Sequence, residues 1–149
     1  MLIYLDLCCF NRPYDDQTQL VIRLQTEAKL YVQDAIVRGD VSLAWSAIMD
    51  LENEANPDIE RKNAIGRWKS LSVIDVDPRQ EIEDVAQELV SQGLKPMDAL
   101  HVASAIFAGA TWLLTTDKAV RNKMNEDPRL RVVDPVEFIQ FLQENTNED

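Results

Sequence analysis

Four acidic residues stand at positions where a carboxylate costs free energy unless it has a partner. Asp6 and Asp117 each closely follow a short apolar run that is typical of a buried strand. Asp98 lies near the start of a segment that is apolar in nearly every direction around a helix, which is the pattern of a buried helix. Glu52 lies nearest to the apolar face among the three acids of another predicted helix. Buried carboxylates repel one another and lose their hydration, so these four need compensation.

A divalent cation would remove both costs. An all-oxygen set of ligands suits Mg²⁺ or Mn²⁺ rather than Zn²⁺. Such a site can activate a water molecule and stabilise the attacking and leaving oxygens of a phosphodiester. Each acid also has a purely structural interpretation, because Asp6 and Asp117 can cap helices and Asp98 can stabilise a helix N-terminus. The residues alone therefore support the hypothesis of a metal-dependent phosphodiesterase if the fold brings four elements together.

Strand-like and helical segments alternate along the chain. Short apolar runs predict five strands, at 2–5, 41–45, 73–76, 112–114 and 130–133. Helical periodicity and capping residues predict helices at 20–36, 46–55, 59–70, after Pro78, 97–108, 117–124 and from Pro135. This alternation is typical of an α/β fold whose central parallel sheet is flanked by helices, with the site at the carboxyl ends of the strands. We expect one domain over residues 1–143 and a polar C-terminal tail over 144–149.

Net charge, cysteine content and the length of apolar runs exclude several classes of function. The chain has 149 residues, and its 26 acidic and 15 basic side chains give a net charge of −11. That charge argues against a protein that binds nucleic acid by bulk counterion release, but it allows a local acidic pocket. The two cysteines are adjacent, which does not suit a disulfide framework, and they are expected to be small buried residues. Without an apolar run long enough for a membrane span or a signal peptide, a cytoplasmic setting is expected.

The segments around the acids resemble the PIN domain family. The similarity is greatest to the small bacterial single-domain members, which include the toxins of VapBC-type toxin–antitoxin pairs. It rests on Leu5-Asp6 followed by Asn11, on the Met-Asp-Ala-Leu-His segment at 97–101, and on the Leu-Thr-Thr-Asp segment at 114–117. It spans essentially the whole chain and implies a single PIN-like domain with a central parallel sheet between helices.

The resemblance also implies a function, namely endoribonuclease cleavage of an RNA substrate by metal-activated water. It assigns the family's metal-binding and catalytic acids to Asp6, Glu52, Asp98 and Asp117, with Mg²⁺ or Mn²⁺ as the cofactor. It assigns to Thr116 the hydroxyl that supports the last acid. For toxin members it implies a cognate antitoxin whose basic segment covers the acidic groove, and dimerisation is common among similar proteins.

The opening segment departs from the family pattern. Leu7 replaces the threonine that often follows the first acid, so a hydroxyl that could orient Asp6 is lost. The adjacent cysteines Cys8 and Cys9 replace the usual aliphatic residues, and Asn11, a supporting residue in the family, is displaced. These departures keep a second hypothesis open, in which the chain is a catalytically silent PIN-fold module that acts through protein–protein contacts.

Other polar residues have both a structural and a functional interpretation. His101 shares a helical stripe with Asp98 and is either a satisfied buried histidine or a supporting residue that contacts a site carboxylate. Arg12 either binds RNA phosphate or pairs with Asp15 or Asp16. The basic residues of the predicted helix 59–70 form either a solvated face or an RNA backbone contact, and they are Arg61, Lys62, Arg67 and Lys69.

Overall fold

The computed structural model describes residues 1–147 and shows alternating strands and helices throughout. Within these residues the five strands are β1 (Leu2–Leu5), β2 (Ser42–Ser46), β3 (Ser72–Val76), β4 (Trp112–Leu114) and β5 (Arg131–Val133). The eight α-helices are α1 (Leu7–Asn11), α2 (Leu20–Arg38), α3 (Ala47–Glu54), α4 (Ile59–Gly66), α5 (Gln80–Ser91), α6 (Pro96–Ala108), α7 (Lys118–Met124) and α8 (Pro135–Asn147). The predicted α/β class is confirmed.

All five strands run parallel in one sheet, in the order β3-β2-β1-β4-β5. Strands β2 and β3 are added in turn on one side of β1. The chain then crosses the sheet, so that β4 pairs with the other side of β1. Ile3 stands opposite Trp112 in this pairing, and Leu5 stands opposite Leu114. The order of strands therefore reverses between β1 and β4, and the crevice outside their carboxyl ends is where α/β folds usually bind ligands.

Helices cover both faces of the sheet. On one face the Tyr4 ring lies against the His101 ring of α6, with centroids 5.7 Å apart. Ile3, the residue before Tyr4, points to the other face, as does its register partner Trp112, whose ring lies 5.5 Å from Phe138 of α8. Helix α2 packs against α8, and α5 packs against α6. Strands β1 and β4, which lie inside the sheet and are covered on both faces, are continuously apolar, as the sequence pattern predicts.

Helix α6 is the most deeply buried helix near the predicted site. Ala99, Val102, Ala103 and Ala105 are at most 1% exposed, and the small side chains let the helix contact β2, β3 and β4. Pro96 occupies the first turn, and the helix ends at Gly109, whose φ of 82° is left-handed. This confirms that the apolar segment is a buried helix, and it sets Asp98 in the first turn.

Local structure differs from the sequence-based expectations at three places. The five-residue helix α1 was not expected, because it is too short to show a helical period. The predicted helix 59–70 consists of α4 and a 3₁₀ segment at Arg67–Leu71. Helix α2 lacks the side-chain cap expected at the start of a predicted helix: it begins after Gln19, and Asp16 Oδ1 accepts instead from the backbone and hydroxyl of Thr18.

The end of the chain bears on the predicted domain boundary. Helix α8 continues to Asn147, so the part of the expected tail from 144 to 147 is helical, and 148–149 lie outside the described residues. A boundary at 143 stays a prediction. A search of the described helices for one that is both long and apolar enough to cross a bilayer finds none.

The contact between α8 and the sheet gives a test of the fold. Phe138 is fully buried against Trp112, so Phe138→Ala should lower the free energy of unfolding by about 3–5 kcal/mol. Phe107→Ala is the matched control, because Phe107 is 43% exposed and should cost about 1 kcal/mol or less. Urea unfolding of both variants measures the difference, and equal losses would contradict this packing.

Candidate functional site

Two of the predicted acids follow neighbouring strands and cap the helices that come next. Asp6 follows β1, and its Oδ1 accepts a 2.7 Å hydrogen bond from the Leu7 backbone N–H at the start of α1. Asp117 follows β4 by two residues, and its Oδ1 accepts from Ala119 N at 2.9 Å at the start of α7. Both capping interpretations therefore hold, and the adjacent strands bring both carboxylates to the same edge of the sheet.

The other two acids are brought to this edge by helices. Ser46 ends β2 and caps α3, since its Oγ accepts from Met49 N at 3.3 Å, and Glu52 lies on the exposed end of that helix. Asp98 lies in the first turn of α6, which ends just before β4 begins. A helix that leads back into a parallel strand starts at the carboxyl edge of the sheet, so Asp98 faces the same region.

All four predicted acids line one cavity of about 400 Å³. Its wall also contains neutral and basic residues from α1, from the loop after α3 and from α4, which are Leu7, Cys8, Asn11, Ala55, Asn56, Pro57 and Arg61. Asn11 and the acids are predicted from the sequence, whereas Asn56 is not, and Arg61 is predicted only as part of a basic helix face.

Two acids of the cavity wall, Asp6 and Glu52, form a tight group with the buried His101. Each offers a ligand atom, and these atoms all lie within 4.8 Å of one another. His101 Nε2 lies 3.1 Å from Glu52 Oε1 and 3.9 Å from Asp6 Oδ1. Burial lowers the pKa of His101, but its hydrogen bond to Glu52 and the charge of Asp6 outweigh burial, so the pKa is raised.

His101 is both a satisfied buried histidine and a contact of the site. Its side chain is 2% exposed, and its Nδ1 shares a 2.7 Å hydrogen bond with the Tyr4 hydroxyl. The Tyr4 hydroxyl in turn lies 2.7 Å from Ser46 Oγ. This series of buried hydrogen bonds holds the imidazole ring in one orientation toward Glu52, so the two interpretations of His101 are compatible.

The four carboxylates lack a permanent cationic partner. Among residues 1–147, no lysine or arginine forms an ion pair with any of them, and only His101 approaches. Burial and the charges of Asp6 and Asp117 raise the pKa of Asp98, which is the effect of carboxylates crowded together. Hard oxygen donors with uncompensated charge fit a divalent cation such as Mg²⁺ or Mn²⁺.

The hydroxyl that supports the acids belongs to Thr115. Its Oγ1 donates to Asp6 Oδ2 at 3.0 Å and accepts from the Asp117 backbone N–H at 3.1 Å, so one buried hydroxyl links two acids. The residue predicted for this role, Thr116, contacts the site through its backbone N–H, which donates to Cys8 Sγ at 3.4 Å. Arg121 stabilises the turn by donating to the Thr115 carbonyl at 3.1 Å.

The remaining predicted residues have identifiable contacts. Leu7 offers no hydroxyl to Asp6, which instead accepts from Thr115, the residue directly after β4. Cys9 is fully buried as expected, whereas Cys8 is half-buried in the cavity wall with Sγ 3.5 Å from Asp6 Oδ2. Arg12 lies outside the wall, donates to Gln25 Oε1 at 2.7 Å and pairs with Asp15 at 3.0 Å.

Comparisons with known proteins agree with this geometry. A family model described as PIN domain matches residues 4–124. One chain of the crystal structure of VapBC2 from Rickettsia felis, bound to a DNA fragment from their promoter, is similar in fold. It is 15% identical, the match covers 89% of this chain and 97% of that chain, and the TM-score is 0.56. A search of curated proteins gave no significant match.

The role of Thr115 can be separated from that of Thr116. Thr115→Val leaves the Asp117 N–H without its acceptor and frees Asp6, so Mn²⁺ affinity should fall about 10- to 100-fold. Thr116→Val, the matched control, should bind Mn²⁺ like the parent protein. Calorimetric titration with Mn²⁺ measures both, and the reverse ranking would show that Thr116 supports the site.

Repulsion between the acids predicts an unusual effect on stability. In the presence of a chelator, Asp98→Asn should unfold at a higher temperature than the parent, because one crowded carboxylate is removed. At about 100 times its dissociation constant, Mn²⁺ should stabilise the parent by about 2.7 kcal/mol and the variant much less. Thermal unfolding measures both, with the exposed Asp84→Asn as the charge-matched control. A variant that is less stable without metal would contradict the repulsion.

Proposed function

The chain belongs to the PIN domain family, and from this premise we propose that it is a metal-dependent endoribonuclease that hydrolyses RNA phosphodiester bonds. The observation that carries the proposal is the set of four carboxylates around one cavity, which has no lysine or arginine paired with it within residues 1–147. A protein that only binds a partner gains nothing from carboxylates that repel one another. A hydrolase that binds a divalent cation needs such carboxylates as ligands.

The carboxylates have distinct roles in this proposal. Asp6, Asp98 and Asp117 would hold Mg²⁺ or Mn²⁺ directly, and Glu52 would complete the ligand set or help to position the water. When bound, the cation supplies activation of water and neutralises charge on the reacting phosphate. Asp6 is suited to this because one of its oxygens is oriented by the Leu7 N–H and the other by the Thr115 hydroxyl.

Glu52 positions the attacking water. Its side chain is 31% exposed, so it can reach water in the cavity while Oε1 is held by His101 Nε2. The His101 ring is itself held by Tyr4, so the glutamate has few alternative orientations. A carboxylate fixed at hydrogen-bond distance from the nucleophile can orient the water and accept its proton.

We also propose that the chain is the toxin of a toxin–antitoxin pair and acts in the cytoplasm. The fold similarity to VapBC2 supports an antitoxin partner, and the net charge of −11 suits a partner segment that is basic. Co-purification with the product of a neighbouring gene tests the partner. Homodimerisation stays a prediction, which light scattering of the purified protein tests.

The cleavage proposal is tested on a pool of single-stranded RNA. The parent protein should cut the pool with Mg²⁺ or Mn²⁺ and stop when a chelator is added. Loss of several kcal/mol of transition-state stabilisation predicts that Asp98→Asn is slower by about 100-fold or more. Asp84→Asn, which removes an exposed charge, should cut like the parent.

A different outcome would support the second hypothesis from the sequence. If the parent protein binds Mn²⁺ but cuts no RNA in the pool, while a partner protein binds it tightly, the chain is a catalytically silent PIN-fold module. Cleavage that survives Asp98→Asn would contradict the proposed metal ligands.

A further inference from the structure

Three polar atoms without partners lie around the cavity that contains the acids. Buried side-chain atoms that lack a hydrogen bond are few among the described residues, and three of the five belong to the wall of this cavity: Asn11 Oδ1, Asn56 Nδ2 and Arg61 Nε. Buried polar groups are normally paired, so a cluster of unpaired ones marks a place where a ligand completes the hydrogen bonds. We call Asn11, Asn56 and Arg61 the polar wall.

Arg61 is held in place but keeps its charge available. Its guanidinium lies 4.4 Å from the centre of the Tyr14 ring, and within residues 1–147 no carboxylate pairs with it. Its backbone N–H donates to Asp58 Oδ1, which caps α4 and fixes the start of the helix. A fixed arginine in the same wall as the unpaired amide donor of Asn56 is suited to an anion with several acceptor oxygens.

The cavity is larger than a metal ion requires. Water in the liquid occupies about 30 Å³ per molecule, so an ion with its bound waters fills roughly half of the cavity, whose volume is about 400 Å³. The remaining space lies along a wall that offers donors from Arg61 and Asn56 and an acceptor from Asn11. A phosphate oxygen needs the donors, and a ribose 2′-hydroxyl can donate to the acceptor.

We propose that the polar wall binds one ribose–phosphate unit of the RNA next to the cleaved bond, with Arg61 and Asn56 on the phosphate and Asn11 Oδ1 on the 2′-hydroxyl. This inference rests on the proposed ribonuclease function and adds to it the residues that bind the substrate and select RNA over DNA.

The phosphate contact is tested by RNA binding without turnover, in the Asp98→Asn background. Fluorescence anisotropy of a labelled single-stranded RNA of 12 mixed nucleotides gives the dissociation constant. Because hydrogen bonds to charged groups are the stronger ones, Arg61→Met should weaken binding about tenfold or more. The matched control Arg67→Met removes the same charge from an exposed position and should change binding about twofold or less.

The 2′-hydroxyl contact is tested with DNA of the same sequence. The Asp98→Asn protein should bind the RNA more tightly than the DNA. Adding Asn11→Leu should remove most of this preference, while thermal unfolding shows that the fold is intact. Equal binding by Arg61→Met and its control, or an undiminished RNA preference in Asn11→Leu, would overturn the inference.

Metal binding distinguishes failure of this inference from failure of the proposed function. In the otherwise parental protein, Arg61→Met should keep the Mn²⁺ response in thermal unfolding, because Arg61 pairs with none of the acids. Unchanged RNA binding in Arg61→Met with metal-dependent cleavage intact overturns only the polar wall. A parent protein that shows no metal-dependent RNA cleavage overturns the proposed function and, with it, the polar wall as an RNA site.

Discussion

Repulsion among four carboxylates at the carboxyl edge of β1 and β4 is the constraint that the rest of this structure accommodates. Three of the acids lie at helix N-termini, where backbone N–H groups and the helix dipole favour negative charge: Asp6 at α1, Asp98 at α6 and Asp117 at α7. Such contacts contribute about 0.3–1 kcal/mol each, which is too little to offset partial burial of several charges. The raised pKa of Asp98 reflects this remaining cost, and a divalent cation is the partner that would remove it.

The fold holds the acids together despite their repulsion by burying the elements that carry them. Helix α6 is packed through alanines onto the sheet, and the register of β1 with β4 sets Thr115 beside Asp6. On the face of β1 that α6 covers, Tyr4 connects Ser46 to His101 and so to the acid on α3. The carboxylates are thus attached to a rigid framework whose stability comes from apolar packing elsewhere.

Much of this arrangement could be predicted from the sequence. Apolar runs and capping residues locate the strands and most helices, and an acid at the end of a parallel strand has only one edge of the sheet to occupy. The supporting hydroxyl could not be assigned in this way, because Thr115 and Thr116 are adjacent and only their side-chain directions distinguish them. Asn56 was not predicted, and Arg61 was predicted only as one of four basic residues of a helix, since unpaired burial is a property of tertiary packing.

The most direct test of the account is anomalous diffraction from crystals soaked in Mn²⁺, with data collected near the manganese absorption edge. The account predicts a peak in the cavity within bonding distance of carboxylate oxygens of Asp6, Asp98 and Asp117. A cavity without a peak at a Mn²⁺ concentration that labels other surface acids would contradict it, because the carboxylates would then tolerate their repulsion without a cation.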